Sequence, residues 1–273
     1  MIRTTHLFPL LNQKLIELLR SLEPQDWIKK TIAPKWTVKD IASHLLDGNL
    51  RSLSMLRDHH WPPGNPESGS YNHLVDYLNQ LNAEWVKATE RLSPQVLIAL
   101  LEQSGKELAG FLATLDPFAD AALAVNWAGE QVSKNWFHIA REYTEKWHHQ
   151  QQIRDATGKP GIMTRELFYP VMDTFMCALP YAYRGVEAGT GSAVCISIEP
   201  AIGGSWWLVK KTSNWQLEKE APAHIDASLF MDADTAWKLF TKGIKPEEAL
   251  QNSIIQGNKE LVLPALSLIA VMA

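Results

Sequence analysis

Cysteine is scarce in this chain, which contains only two among its 273 residues. Cys177 and Cys195 lie in apolar stretches, and their spacing fits neither a metal-binding motif nor a disulfide framework. We therefore predict two reduced, buried thiols. An excess of one charge is also absent, because 26 basic and 30 acidic residues give a net charge of −4. This balance provides no basic surface for a phosphate backbone, so nucleic acid is not an expected partner.

Long apolar runs are missing as well. No segment approaches the roughly 18 apolar residues that a membrane-spanning helix needs, and the start, MIRTTHLFPLL, lacks the three regions of a signal peptide. We expect a cytoplasmic protein with no membrane partner. The sequence also lacks GxSxG, P-loop and CxxC motifs and a GxGxxG after a strand. Nothing therefore favours the nucleophile elbow of an α/β-hydrolase, a nucleotide-binding site or a thioredoxin-like redox centre.

The pattern that is present changes character near residue 160. Before that point, apolar residues at three- and four-residue steps predict an all-α, up-and-down helical bundle over 1–160. Its helices are predicted over 7–22, 38–60, 72–92, 93–114 and 132–158. Thr37 and Asp40 are typical of a capping box at the start of the second helix, and the Pro- and Gly-rich run 61–70 predicts a surface loop after it.

After the linker GKPG, residues 161–273 are predicted to form a smaller α+β domain. Runs rich in β-branched and aromatic residues predict strands, and helical spacing predicts helices between and after them. The predicted strands are 193–199, 206–211, 215–217 and 227–231, and the predicted helices are 165–187, 232–240, 246–252 and 258–270.

The helix predicted over 132–158 carries the residues with the clearest chemical meaning. Glu145 and His149 are four residues apart, so they lie one turn from each other and point the same way. His44, midway along the second helix, is a third candidate, because facing helices of a bundle bring side chains to a common ion. Two imidazoles and one carboxylate suit zinc, and also nickel, iron or manganese, and leave coordination positions open, as in catalytic sites.

Other interpretations of these residues stay open from spacing alone. Glu145 could pair with Lys146 or Arg141 on a solvated face, and His44 could be a core histidine with satisfied hydrogen bonds. His148 is three residues from Glu145 and could replace His149 as a ligand. Asp40 or Asp47 could accept a hydrogen bond from the second nitrogen of His44, although helix capping or solvation explains both carboxylates more simply.

At these residues the chain resembles a known family. The segment WTVKDIASHLLDG resembles the signature of the mycothiol-dependent maleylpyruvate isomerase N-terminal domain, which belongs to the DinB-like metal-binding four-helix superfamily. The segment EKWHHQQQIRDATG is similar to a second motif of that family, with Gln152 where the family usually has Asp. The resemblance implies that His44, Glu145 and His149 bind a metal. The segments MDADTAWKLFTKG and ALQNSIIQGNKEL resemble the sterol-carrier-like α+β domain that follows the bundle in these proteins.

The resemblance also implies a function. It predicts a metal-dependent thiol transferase or isomerase, in which a divalent metal, zinc above all, activates the sulfur of a low-molecular-weight thiol cosubstrate. That thiol would add to a small electrophilic substrate, and the protein would be a monomer or a homodimer. Two other functions are compatible with the sequence. One is a non-enzymatic carrier of a small molecule or lipid, and the other is a metal-binding family member without activity.

Overall fold

The structure, a computed structural model, describes residues 1–61 and 71–271. Of the loop predicted over 61–70, only Trp61 falls within these ranges. The described chain divides into two compact units. The first, here called the helical unit, comprises 3–122 and 142–162, and the second, the sheet unit, comprises 1–2, 123–141 and 163–271. Compact units need not fold separately, so the domain boundary at residue 160 stays a prediction.

The helical unit contains the long helices predicted for the first part of the chain. They are α1 (Phe8–Arg20), α2 (Val38–Ser52), α3 (Tyr71–Thr89), α4 (Pro94–Leu112) and residues 142–157 of α5 (Asn135–Thr157). Helix α2 packs against α3 and α4, and α1 packs against α4. No helix in the described part of the chain is long and apolar enough to cross a membrane.

The ends of these helices follow local chemistry. The capping box predicted at α2 is confirmed, because the Thr37 side chain accepts from the Asp40 amide and the Asp40 carboxylate accepts from the Thr37 amide at 2.8 Å. Ser93 caps α4 in front of Pro94. Gly158 follows α5 with a φ of +68°, the left-handed conformation that ends many helices. Helix α2 stops earlier than the predicted residue 60, since a wider π-helical turn takes over at Leu53–Arg57.

Burial along α5 extends further than its apolar pattern predicts. Ile153 belongs to the core of the helical unit together with side chains of α1, α2 and α4. Polar side chains such as Lys146, His148 and Gln150 are also buried. Lys146 donates a hydrogen bond to the side-chain oxygen of Asn49 on α2. A buried polar group needs such a partner, because desolvation without one costs about 1–3 kcal/mol.

The sheet unit confirms the predicted α+β class. Its five strands are β1 (Ala193–Ile198), β2 (Gly204–Lys210), β3 (Trp215–Glu218), β4 (Ala227–Met231) and β5 (Ser253–Gly257), in the order β3-β2-β1-β4-β5. The β1–β4 pair is parallel and the other pairs are antiparallel. The helices are α6 (Arg165–Met176), α7 (Leu179–Ala182), α8 (Ala233–Phe240), α9 (Pro246–Gln251) and α10 (Lys259–Val262).

Three predictions for this unit need correction. The helix predicted over 165–187 ends at Met176, and the one predicted over 258–270 is only α10 followed by a 3-10 turn, Leu263–Ser267. Strand β5 was not predicted. Its residues form a strand because β4 offers an antiparallel partner across the whole segment, and strand formation depends on such pairing more than on local preference. Both cysteines are free, and Cys195 is buried as predicted, whereas Cys177 is partly exposed.

Candidate metal centre

Helices α2 and α5 place two imidazoles beside each other within the helical unit. The ring centroids of His44 and His149 are 4.6 Å apart, and the ring planes meet at 74°. The side chain of His149 is buried, whereas that of His44 is of intermediate exposure. Within this arrangement the Nδ1 atom of His44 is buried and has no hydrogen-bond partner in the described residues. One nitrogen of His44 is therefore available to a ligand.

Glu145 lies one turn before His149 on the same side of α5. Its Oε2 atom is 3.6 Å from Nε2 of His149, and a quarter of its side chain is exposed. The other ring nitrogen of His149, Nδ1, lies 2.9 Å from Oε1 of Gln152. An amide oxygen only accepts, so Nδ1 must donate a hydrogen, and Nε2 is the ring nitrogen left for a metal. Gln152 thus orients the imidazole so that its free nitrogen faces the Glu145 carboxylate.

His148 belongs to the same cluster. Glu145, His148 and His149 each offer a ligand atom, and these atoms lie within 4.8 Å of one another. The His148 ring is stacked at an angle on that of His149, with centroids 3.9 Å apart. Its Nδ1 lies 3.1 Å from the Thr144 carbonyl oxygen, which can only accept, so Nε2 is again the nitrogen with a lone pair. Either His148 or His149 could thus act as a metal ligand together with Glu145.

The electrostatics of the cluster keep the imidazoles of His44 and His148 neutral. Burial, reinforced by the neighbouring His149, lowers the pKa of His44 well below its ordinary value. Burial likewise lowers the pKa of His148 to about 3. Metal ligands must be deprotonated. Each of these two rings is therefore neutral at neutral pH, with one N–H and one nitrogen whose lone pair can bind a metal.

An indole borders the cluster on one side. The ring of Trp36 lies 4.8 Å from that of His44 and 6.1 Å from that of His149, measured between centroids. Trp36 precedes the cap of α2, so the turn that starts the helix also places this ring. The indole is thus a large apolar neighbour of both imidazoles.

Comparison with known proteins places the chain in a family. Residues 8–154, more than half of the chain, match the family described as the mycothiol maleylpyruvate isomerase N-terminal domain. The chain belongs to this family. The matched region contains all the residues of the cluster described above, from Trp36 to Gln152. No curated protein matches the chain.

Two solved structures share the fold over most of the chain. A crystal structure of the mycothiol-dependent maleylpyruvate isomerase carrying a histidine-to-alanine mutation has a TM-score of 0.54 and 12% identity, covering 88% of each chain. A second structure of that isomerase has a TM-score of 0.51 and 11% identity, covering 86% of each chain. A ubiquinone synthesis protein, UbiJ-SCP2, covers 33% of this chain and 76% of its own, with 17% identity and a TM-score of only 0.24.

The carboxylates proposed to support His44 have other partners. Asp40 belongs to the capping box. Asp47 faces Arg51, with 3.3 Å between its Oδ2 and Nη2 of the arginine. The support seen in the cluster is instead for His149, whose Nδ1 donates a hydrogen bond to Oε1 of Gln152. Sequence reasoning singled out Gln152 but not its contact with His149, and it overlooked Trp36, although Trp36 stands in the same signature as His44.

Proposed function

We propose that the chain is a metal-dependent thiol transferase or isomerase that uses a low-molecular-weight thiol on a small electrophilic substrate, in the manner of a maleylpyruvate isomerase. The metal, most simply zinc, would be held by His44, Glu145 and His149. The observation that carries the proposal is that the His44 and His149 rings, from two different helices, lie 4.6 Å apart, and that the Glu145 carboxylate lies 3.6 Å from Nε2 of His149. The unpartnered nitrogen of His44 fits a metal ligand.

The donor set decides what chemistry such a site supports. Two imidazoles and a carboxylate suit zinc and leave at least one coordination position for an external ligand. A divalent cation bound there would favour the thiolate form of a small thiol at neutral pH, and the thiolate is the nucleophilic form.

The surrounding residues prepare the site for that role. Gln152 holds the tautomer and orientation of His149 through Nδ1. Trp36 is a large apolar neighbour of both imidazoles. Partial exposure of Glu145 and His44 leaves a side through which a thiol and a substrate can enter.

The first test measures the zinc content of the purified, zinc-loaded protein. His44→Ala and His149→Ala should each lose most of the bound zinc, since two remaining ligands hold the ion weakly. His224→Ala is the matched control, because His224 is also four residues after a glutamate but its side chain is 81% exposed. Zinc content that is equal in His44→Ala, His149→Ala and the unmodified protein would end the proposal. His148→Ala decides between the neighbours, since it retains zinc if His149 is the ligand.

The second test concerns turnover. Zinc-loaded protein is mixed with mycothiol or another small thiol, and isomerisation of maleylpyruvate is followed by absorbance. Thiol-dependent turnover that His149→Ala abolishes is the expected result. Zinc binding without turnover for any thiol and electrophile tested would instead identify a metal-binding family member without activity.

A further inference from the structure

A small cavity lies inside the helical unit, between α1, α2, α4 and α5. Its volume is about 10 Å³, and four polar side chains line it together with leucines and one isoleucine. The polar side chains are Asn12 of α1, Asn49 of α2, and Lys146 and Gln150 of α5. A cavity of this size has room for about one water molecule.

Gln150 is the polar residue of this cavity whose hydrogen bonding is incomplete. Only 1% of its surface is exposed. Neither its Oε1 atom nor its Nε2 atom has a hydrogen-bond partner among the described residues. A buried polar group that lost its contact with water and gained no partner is unfavourable. The amide therefore requires a small ligand that fits the cavity.

Lys146 offers further donors at the same cavity. Its ammonium group has three N–H donors, and its hydrogen bond to the side-chain oxygen of Asn49 uses one of them. The amide nitrogens of the two asparagines are already engaged. That of Asn49 donates to the Ser104 hydroxyl at 3.0 Å, and that of Asn12 donates to a backbone carbonyl of α4 at 2.9 Å. The groups left for a ligand are thus the Lys146 ammonium and the Gln150 amide.

The chemistry of these two groups identifies the ligand. Oε1 of Gln150 needs a donor, whereas its Nε2 and the Lys146 ammonium need acceptors. Water donates and accepts, so it can serve both kinds of group, which lie one helical turn apart. A halide or another small anion would serve the donors only and would leave Oε1 unpaired. We propose that the cavity is a hydration site, in which bound water joins the Lys146 ammonium to the Gln150 amide.

The hydration site has a consequence for the metal centre, and this part of the inference rests on the proposed function. Lys146 and Gln150 each follow a proposed metal ligand directly in the sequence. The two pairs therefore lie on adjacent faces of the same turns of α5. Lys146 also bonds α5 to α2, the helix that carries His44. The hydrated network thus fixes the rotation of α5 beside α2, and Lys146 and Gln150 are positioning residues for the metal ligands.

A high-resolution crystal structure of the full chain tests the hydration site directly. Electron density for water within hydrogen-bond distance of Nζ of Lys146 and of the Gln150 amide is the expected result. A cavity without density, or a Gln150 amide bonded only to protein groups, would overturn the site. Crystals grown in bromide test the ligand, because an anomalous peak in the cavity would identify a halide and overturn the assignment of water.

A double-mutant cycle tests the water link in solution. Lys146→Met and Gln150→Leu keep much of the side-chain volume and remove the groups that bind water. Each single variant should lower the urea midpoint of unfolding, because it leaves polar groups of the network unpaired. The double variant should lower the midpoint by clearly less than the sum of the two losses, since the groups that each change leaves unpaired are partly removed by the other. Additive losses would contradict the link.

The positioning role is tested by zinc affinity, measured by competition with a chelator under conditions where each variant is folded. Lys146→Met should bind zinc roughly 10-fold more weakly, the low end for loss of a group that orients a metal ligand. Ser93→Ala is the control, because it removes the cap of α4 and so lowers stability at a distant helix start. Unchanged affinity in Lys146→Met, or an equal loss in Ser93→Ala, would overturn the positioning role.

The outcomes keep the proposals apart. An unmodified protein that holds no zinc would overturn the proposed function and the positioning role together. The hydration site would still stand or fall on the density in the cavity.

Discussion

The hydrogen bond from His149 to Gln152 gives the sharpest prediction about the metal centre. Gln152→Leu keeps nearly the same volume but removes the acceptor that lies 2.9 Å from Nδ1 of His149. Both side chains are buried, with 8% and 5% of their surface exposed. Water therefore cannot easily replace the lost acceptor, and the imidazole must either leave an N–H unpaired or rotate or change tautomer.

The size of the effect follows from what such contacts contribute. Loss of a partner that orients a metal-binding histidine typically weakens metal affinity about 10- to 100-fold, which corresponds to roughly 1.4–2.7 kcal/mol. Gln152→Glu keeps an acceptor at the same reach and adds negative charge, so it should bind zinc at least as tightly as the unmodified protein.

The assay is competition for zinc with a chromophoric chelator at constant pH and ionic strength. Gln151→Leu serves as the control, since Gln151 is also buried but its Oε1 has no hydrogen-bond partner in the described residues. Unchanged affinity in Gln152→Leu would refute the orienting role, and an equal loss in Gln151→Leu would show that the effect is not specific to the contact with His149.

Three further predictions concern stability and reactivity. Thr37→Ala removes the cap of α2 and should lower the free energy of unfolding by about 1 kcal/mol, measured by urea denaturation. Gly257→Ala should destabilise the sheet unit by about 2 kcal/mol or more, because φ of Gly257 is +77° and the added carbon would lie 2.1 Å from a backbone oxygen. Gly185→Ala is the control, since its added carbon meets no described atom within 4 Å, and it should leave the free energy of unfolding nearly unchanged in the same assay. Cys177 is partly exposed, but its surroundings withhold enough water from the thiol to raise its pKa to about 12. The thiolate is therefore scarce at pH 8, and labelling of the folded protein by a disulfide reagent should be slow and should accelerate about tenfold per pH unit up to pH 10; fast labelling at pH 8 would contradict the raised pKa.

Local patterns were sufficient for most helices of the first part of the chain. Thr37 and Asp40 mark the start of α2, because their side chains accept hydrogen bonds from backbone amides that the helix leaves unpaired. Pro94 marks the start of α4, because proline has no amide hydrogen that would need a partner there. The prediction failed where partners distant in sequence decide the structure. Strand β5 is such a case, since its backbone is paired by β4, and no short-range signal reports that pairing.

The same division holds for the candidate site. The spacing of Glu145 and His149, together with the family resemblance, was enough to nominate them with His44 from sequence. Only the tertiary structure placed the ring of His44 4.6 Å from that of His149 and assigned Gln152 as the acceptor for the latter. The physical reason is that helical periodicity fixes which side chains of one helix share a face. The distance between two helices depends instead on how the side chains between them pack. Packing is a property of the whole unit, and no single segment encodes it.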